Sequence, residues 1–211
     1  KKKFNITDIS SKIVNRNPSG PFTTSTLQQT ASSRLGFGAS RTMQIAQKLY
    51  QGIEIEGETI GLITYMRTDG TNLSKDAISD FRDYIKKEIG NEYLPETALN
   101  YSGKKAKNAQ EAHEAIRPTD IIRTPQSVKK YLSPDQNKLY DLIWSRSLSS
   151  QMESAKFDRN TITITSDNND TICKASGSVL KFDGFLKIYK NPSKDEDENI
   201  LPSMSKGLVN I

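Results

Sequence analysis

A tyrosine and an arginine two positions apart are the residues of this sequence best suited to a chemical reaction. Tyr65 and Arg67 follow the apolar pair Leu62-Ile63. A phenol oxygen is a potential nucleophile once it is activated, and a neighbouring guanidinium presents a fixed fork of donors that can hold a phosphate. If the segment is a strand, both side chains point to the same face. The pair therefore indicates attack on a phosphodiester bond.

Structural roles explain these residue types equally well when each is taken alone. The chain contains eight tyrosines, and a strand tyrosine usually packs its ring in the core with its hydroxyl at the rim. An exposed arginine usually joins a surface salt bridge. His113 is the only histidine; protonated, it could hold a phosphate or donate a proton, but a lone histidine is more often a surface or capping residue.

Three stretches of sequence favour the chemical interpretation. In chain order they are Pro21–Gln29 (PFTTSTLQQ), Gly61–Gly70 (GLITYMRTDG) and Gln110–Pro118 (QEAHEAIRP). Together they resemble the motifs of the type IA DNA topoisomerases, specifically the bacterial topoisomerase I branch, and the resemblance covers nearly the whole chain. It implies an ATP-independent enzyme that cuts and reseals one DNA strand through a 5'-phosphotyrosine intermediate to relax negative supercoils.

The resemblance also implies a role for each reactive side chain. Tyr65 would be the nucleophile. Arg67 would bind the scissile phosphate and offset the charge that develops there. His113 lies in what looks like the family's second active-site segment, which implies a residue that contacts DNA and modulates activity. These three residues form the predicted catalytic set.

Three further residues are candidates for binding DNA. Arg117 either contacts a phosphate or only braces its loop. Thr26 and Gln28 belong to a polar cluster at a predicted helix start, where backbone N–H groups and hydroxyls can bind phosphate. Simple N-capping explains part of this cluster equally well.

The acidic residues and one glycine near the motifs have less certain roles. Glu111 and Glu114 could orient His113 or Arg67, and solvation on a helix surface is equally plausible. The family most often has serine where this chain has Gly70. Glycine removes a possible hydroxyl cap there and frees the backbone, so the difference bears on local geometry more than on the nucleophile.

The elements predicted around Tyr65 follow the order of a winged helix-turn-helix. A first helix begins at a cap on Thr24 or Ser25 and ends before Gly36. Ser40 caps a second helix, which Gly52 ends and whose apolar stripe is formed by Ile45, Ala46, Leu49 and Tyr50. A hairpin follows, with strands at 53–56 and 59–66. This arrangement places Tyr65 at the end of the second hairpin strand.

The rest of the chain predicts more helices and then a sheet. Ser74 caps a third helix, a short helical piece covers 110–116, and Ser133-Pro134 opens a last helix. After residue 153 the apolar period changes to two, which predicts an antiparallel sheet with strands at 161–165, 171–175, 179–182 and 185–189.

The predicted fold class is therefore α+β. A mainly α-helical, winged-helix-like domain, residues 25–153, is inserted into an antiparallel β-rich domain made of residues 1–24 and 154–211. In the family that the chain resembles, this β-rich domain is an arch that carries the helical domain with the tyrosine.

Charge and composition narrow the partner and the compartment. The chain has 30 Lys plus Arg and 25 Asp plus Glu, a net charge of +5, which favours an anionic partner without identifying it. The single cysteine excludes an intrachain disulfide. No apolar run approaches the roughly 20 residues that span a bilayer, and no signal peptide is visible. We therefore expect no membrane association and a cytoplasmic location, at the bacterial nucleoid if the resemblance holds.

The resemblance also implies parts that this sequence lacks. In the family, Mg²⁺ is bound by an acidic Toprim domain, and nothing here resembles it. The acidic run 195–198 is interpreted as a solvated loop, so no metal ligand is assigned. We expect the chain to be a fragment that is inactive alone, from an enzyme that acts as a monomer on a single-stranded DNA segment and needs Mg²⁺.

Two alternatives remain at this stage. The first is a non-catalytic winged-helix DNA-binding module, although the second helix offers only Arg41 and Lys48 for reading bases. The second is the topoisomerase III branch of the same enzyme class. The sequence Thr64-Tyr65-Met66-Arg67 and the segment around His113 favour the topoisomerase I branch.

Overall fold

The computed structural model describes residues 3–101, 113–168, 170–189 and 207–209. In chain order its helices and strands are β1 (Phe4–Arg16), α1 (Thr24–Leu35), α2 (Ala39–Gln51), β2 (Ile53–Ile55), β3 (Glu58–Ile60), α3 (Lys75–Tyr84), α4 (Pro125–Val128), α5 (Pro134–Ser149), β4 (Ala155–Ser166), β5 (Ile172–Phe182) and β6 (Gly207–Val209). None of the helices in the described part of the chain is long and apolar enough to cross a membrane.

The chain forms two compact units, and the helical unit interrupts the sequence of the β unit. The β unit comprises Lys1–Asn17 and Ser154–Ile211, and the helical unit comprises Pro18–Glu153. The α+β fold class is confirmed. The first boundary lies before residue 18, earlier than residue 25, because Phe22 is fully buried in the helical unit and accepts a hydrogen bond from the Ile116 N–H at 2.8 Å.

The β unit contains a four-stranded antiparallel sheet in the order β5-β4-β1-β6. The predicted strands at 161–165, 171–175 and 179–182 all lie in this sheet, the last two within the single strand β5. The predicted strand at 185–189 is wrong, because Gly184–Lys187 is a 3₁₀ turn. Gly184 turns the chain with a φ of +50°, and the consecutive side chains Phe185 and Leu186 are both buried, which an alternating strand does not allow. The acidic run 195–198 lies outside the described residues.

The core of the helical unit forms where α1, α2 and α5 pack together. Its fully buried side chains include Leu27, Ala31, Ala46, Leu49, Leu139, Tyr140, Ile143 and Leu148. The predicted stripe of α2 is confirmed at Ile45, Ala46 and Leu49. It is wrong at Tyr50, whose ring is 42% exposed at the edge of the stripe.

The helix starts differ slightly from those predicted. Thr23, not Thr24 or Ser25, caps α1, and its side chain forms a capping box with Thr26. Helix α2 begins at Ala39, and its capping position is occupied by Gly38, two residues before Ser40, the predicted cap. The predicted caps are confirmed at Ser74 for α3 and at Ser133 for α5, where each serine side chain accepts from an N–H of the first turn.

Two predicted elements near the motifs are wrong. The second hairpin strand ends at Ile60, because the next residues, Leu62 and Ile63, are both fully buried and leave the hairpin. Tyr65 therefore lies in an irregular segment, and the likeness to a winged helix stays a prediction. Residues 113–116 are extended, not helical, because the N–H groups of Ala115 and Ile116 donate to carbonyls of other segments. Residues 110–112 lie outside the described part.

Candidate functional site

The segment that carries Tyr65 is fixed to its neighbours by backbone hydrogen bonds on both sides. The Leu62 N–H donates to the Leu49 carbonyl at 2.8 Å, and the Thr64 N–H donates to the Arg117 carbonyl at 2.9 Å. The Thr64 hydroxyl donates to the Ala115 carbonyl at 2.7 Å. Thr64 thus fastens the chain immediately before the tyrosine.

Thr24, at the start of α1, fastens the chain on the other side. Its hydroxyl donates to the Met66 carbonyl at 2.7 Å and accepts from the Thr68 N–H at 2.8 Å. The Thr24 N–H donates to the Thr68 carbonyl at 2.9 Å. Met66 is buried between these bonds. The backbone on both sides of Arg67 is therefore held by hydrogen bonds that do not involve the Arg67 side chain.

These bonds bring the three sequence motifs together. Isolated antiparallel bridges join Phe22 to Ile116 and Ile63 to Pro118, so the second active-site segment lies beside both other motifs. The motifs are recognisable in the sequence, but the hydrogen bonds that Thr24 makes to the tyrosine segment are not predicted by it. The available signal was that Thr24 carries a hydroxyl at the first position of α1. Because it lies one residue after the cap, this hydroxyl does not serve as the cap.

Tyr65 and Arg67 are exposed, whereas Met66 and Thr68 are buried, which is the alternation of an extended segment. Tyr65 is 51% exposed. Within the described part of the chain, its hydroxyl has no hydrogen-bond partner and the Arg67 guanidinium has neither an ion pair nor a hydrogen bond. The site thus presents an accessible oxygen and an uncompensated cation two residues apart, on a rigid backbone.

His113 is exposed, and its backbone is in unusually close contact with Gly70. A Cβ on residue 70 would lie 1.7 Å from the His113 carbonyl oxygen, so only glycine permits this approach. The Gly70 N–H donates to the Thr68 hydroxyl at 3.0 Å. The glycine at position 70 therefore allows the His113 segment to close onto the loop that follows Arg67.

Arg117 serves as a brace in this structure. Its guanidinium contacts both carboxylate oxygens of Glu114, at 2.7 and 3.2 Å, and donates to the Pro118 carbonyl at 2.9 Å. The Ser74 N–H also donates to Glu114, at 2.9 Å. Glu114 therefore orients Arg117, and not His113 or Arg67. A DNA contact by Arg117 stays a prediction.

Glu114 should make the stability of this region depend on pH. Burial alone would raise its pKa, but the hydrogen bonds from Arg117 and Ser74 outweigh that effect and hold the pKa below its usual value. Because the folded pKa is lowered, the carboxylate stabilises the fold above about pH 4.3, the ordinary glutamate value, and this contribution is lost as pH falls through the folded pKa.

The corresponding variant is Glu114→Gln in the full-length protein. At pH 7 it should cost about 1 kcal/mol, because Arg117 loses its charged partner. Thermal unfolding of wild type and variant should converge as the pH falls through the folded pKa of Glu114, because the wild-type carboxyl then becomes neutral as well. A difference that does not shrink as the pH falls would contradict this role for the carboxylate.

The polar cluster at the start of α1 is mostly occupied by local bonds. The Thr26 hydroxyl accepts from the Thr23 N–H at 2.9 Å, and the Thr26 N–H donates to the Thr23 hydroxyl at 3.3 Å. Gln28 is half-buried. N-capping therefore explains Thr26, and DNA contacts by Thr26 and Gln28 stay predictions.

Acidic and metal-ligating side chains do not gather at this site. Across residues 3–101, 113–168 and 170–189, no three His, Cys, Asp or Glu side chains form a group that could hold a metal ion. The described residues therefore do not fit a magnesium site, and the chemistry that they support is that of the phenol and the guanidinium.

The chain is similar to known proteins along almost its whole length. A model of the DNA topoisomerase family matches residues 1–210. DNA topoisomerase 1 of Rickettsia prowazekii is 54% identical over 196 residues, which are 93% of this chain and 25% of that protein. DNA topoisomerase 1 of Helicobacter pylori is 46% identical over 206 residues, 98% of this chain and 27% of that protein.

A solved structure agrees. Full-length topoisomerase I from Thermotoga maritima matches with a TM-score of 0.82 at 36% identity, over 99% of this chain and 32% of that one. The chain spans about a quarter of the length of the curated relatives that it matches.

Proposed function

Because the chain belongs to the DNA topoisomerase family, in the bacterial type IA topoisomerase I branch, we propose that the full-length protein cuts and reseals one DNA strand through Tyr65. The observation that carries this proposal is the site itself. An exposed phenol and an exposed guanidinium, without partners in the described part of the chain, stand on a backbone fastened by Thr24 and Thr64. Structural tyrosines and arginines are normally packed or paired.

In this reaction the Tyr65 oxygen attacks the scissile phosphorus. A bond forms between that oxygen and phosphorus, the bond from phosphorus to the 3'-oxygen of the neighbouring nucleotide breaks, and a proton moves from the phenol to that oxygen. The product is a 5'-phosphotyrosine ester. Because one phosphodiester replaces another, the reverse attack by the 3'-hydroxyl reseals the strand without ATP. Negative supercoils are removed when the other strand passes through the break before it is resealed. Arg67 binds the phosphate and stabilises charge in the transition state; His113 makes a further DNA contact.

Other features of the complete enzyme are part of the same proposal. Mg²⁺ would be bound by another part of the protein, since the described residues here do not form a site for it. The substrate would be a single-stranded segment of DNA in the bacterial cytoplasm, at the nucleoid, and the enzyme would act as a monomer. The net charge of +5 agrees with an anionic substrate.

A DNA-reading regulator is the alternative, and the surface of α2 argues against it. Of the two basic residues on this helix, Arg41 forms an ion pair with Asp135 and stacks on the Phe37 ring. Only Lys48 would then remain for base readout, whereas recognition helices present several polar and basic side chains.

Salt-dependent binding of single-stranded DNA by the full-length protein tests the proposal. Affinity should fall as salt rises, because phosphate contacts release counterions. Arg67→Ala should lower the slope of log K against log salt by about 0.7, the value for one lost contact to single-stranded phosphate. Lys48→Ala is the matched control and should leave the slope unchanged. Salt-resistant, sequence-specific duplex binding that depends on Lys48 and not on Arg67 would favour the regulator.

A further inference from the structure

The ring of the proposed nucleophile rests on a second exposed tyrosine. Tyr50, in the last turn of α2, contacts Tyr65 edge to face, with ring centroids 5.3 Å apart and an interplanar angle of 65°. The two rings are 42% and 51% exposed. Ile45 and Leu49 in the same helix are buried, whereas Tyr50 lies at the edge of their stripe, so core packing alone does not account for the position of its ring.

The backbone of Tyr50 also fixes the segment that carries Tyr65. A Cβ on Gly61 would lie 2.7 Å from the Tyr50 carbonyl oxygen, so glycine allows the segment to pass directly against the end of α2. The next residue, Leu62, donates its N–H to the Leu49 carbonyl at 2.8 Å. Tyr50 is therefore held in a constant position relative to the backbone that leads to Tyr65.

Hydrogen bonds within the described part of the chain do not fix the orientation of the Tyr65 ring. The residue lies outside regular secondary structure, and its hydroxyl has no hydrogen-bond partner within the part of the chain that the structure describes. The hydrogen bonds of Thr64 and Met66 fix the backbone on either side of Tyr65. The Tyr50 ring is thus the aromatic contact that restricts rotation of the Tyr65 ring while leaving the hydroxyl free.

We propose that Tyr50 is a positioning residue that holds the Tyr65 ring in line for attack. The inference rests on the proposed function of Tyr65. In-line attack needs the nucleophilic oxygen within a narrow range of distance and direction, and a misplacement of about 1 Å can slow an enzymatic step by about 100-fold. A T-shaped ring contact is directional, whereas an aliphatic side chain gives bulk without direction. Tyr50 itself does not touch DNA.

The test is single-turnover cleavage of a labelled single strand by the full-length protein at saturating DNA. Tyr50→Ala and Tyr50→Leu should lower the rate constant of adduct formation by about 10- to 100-fold, with an unchanged dissociation constant for DNA. Tyr50→Phe keeps the ring contact and should cleave at the wild-type rate. Since Tyr50 is exposed, all three variants should fold, which thermal unfolding checks.

Tyr84→Ala is the matched control. Tyr84 makes a T-shaped contact with Trp144, with centroids 5.7 Å apart and an angle of 86°, in the same helical unit. Losing this ring pair should leave the cleavage rate unchanged at a temperature where the variant is folded. A similar rate loss in Tyr84→Ala would show a general packing effect and overturn the inference.

Other outcomes separate the inference from the function on which it rests. Wild-type cleavage by Tyr50→Ala overturns it, and so does an equal loss in Tyr50→Phe. Weaker DNA binding at an unchanged rate would make Tyr50 a platform for a DNA base, which also overturns it. If Tyr65→Phe forms no adduct while Tyr50→Ala cleaves normally, only this inference fails. If Tyr65→Phe still forms the adduct, the proposed function fails as well.

Discussion

Tyr65→Phe should abolish the covalent protein–DNA adduct in the full-length protein and leave the fold intact. The substitution removes one oxygen and keeps the ring that contacts Tyr50. Because that hydroxyl is exposed and makes no hydrogen bond within the described part of the chain, its loss should cost at most about 1 kcal/mol. Cleavage should disappear, because residues 61–70 contain no second tyrosine and the Tyr50 ring contacts the Tyr65 ring edge to face without taking its place.

The other two catalytic candidates should have graded effects. Arg67→Ala should slow adduct formation by about 100-fold, the usual effect of removing one group that stabilises transition-state charge, without preventing the ester from forming. His113→Ala should act less severely, mainly on DNA binding and rate. This order distinguishes the nucleophile, which forms the bond, from residues that stabilise charge or hold DNA.

The measurement is the adduct formed with a labelled single strand and resolved under denaturing conditions, with thermal unfolding as the control for folding. A tyrosine that serves only for packing would lose nothing in function when phenylalanine replaces it. If Tyr65→Phe still forms the adduct, another residue is the nucleophile and the central assignment fails.

Local patterns in the sequence predicted the helices well. Ser74 and Ser133 mark helix starts because a hydroxyl that satisfies first-turn N–H groups is a local requirement. The buried face of α5 follows from helical spacing alone. The family could also be predicted from the sequence, because its motifs consist of chemically constrained residues that lie close together along the chain.

The predictions that failed concern segments whose partners are distant in sequence. Residues 62–63 continue an apolar run that suggests a strand, but the backbone there bonds to Leu49 and Thr119 and not to the hairpin. Residues 113–116 have good helix formers, yet their N–H groups bond to Asn72 and Phe22. Periodicity does not report such long-range partners.

Contacts with residues distant in sequence also could not be predicted inside the site. Tyr50 has helical spacing with a buried stripe, so its exposure and its contact with Tyr65 could not be predicted from α2 alone. Glu114 was predicted either to orient His113 or Arg67 or to be solvated on a helix surface; the structure pairs it with Arg117 in an extended segment instead. In both cases tertiary packing overrides the local pattern.

Gly70→Ser should destabilise the segment that carries His113. A Cβ at this position would lie 1.7 Å from the His113 carbonyl oxygen, whereas real contacts of this kind stay above 3.0 Å. Either residue 70 or the His113 segment must move. The movement should weaken the bond from the Ala115 N–H to the Asn72 carbonyl, now 2.8 Å long, and cost about 1–3 kcal/mol.

Gly38→Ser is the matched control, because it is the same substitution at a glycine with no heavy atom within 4 Å of the added Cβ. Gly38 precedes α2 as its capping residue, where serine is at least as favourable as glycine, so this variant should be neutral or slightly stabilised. Hydrogen exchange in the full-length protein measures both effects. The amides of residues 115–116 should exchange faster in Gly70→Ser and normally in Gly38→Ser.

Movement of the His113 segment should also slow catalysis, because it displaces His113. Gly70→Ser should slow cleavage in the wild-type background and add little in a His113→Ala background, because one segment carries both effects. Equal exchange in Gly70→Ser and Gly38→Ser, or additive losses in the double variant, would show that the close approach of Gly70 and His113 does not position the histidine.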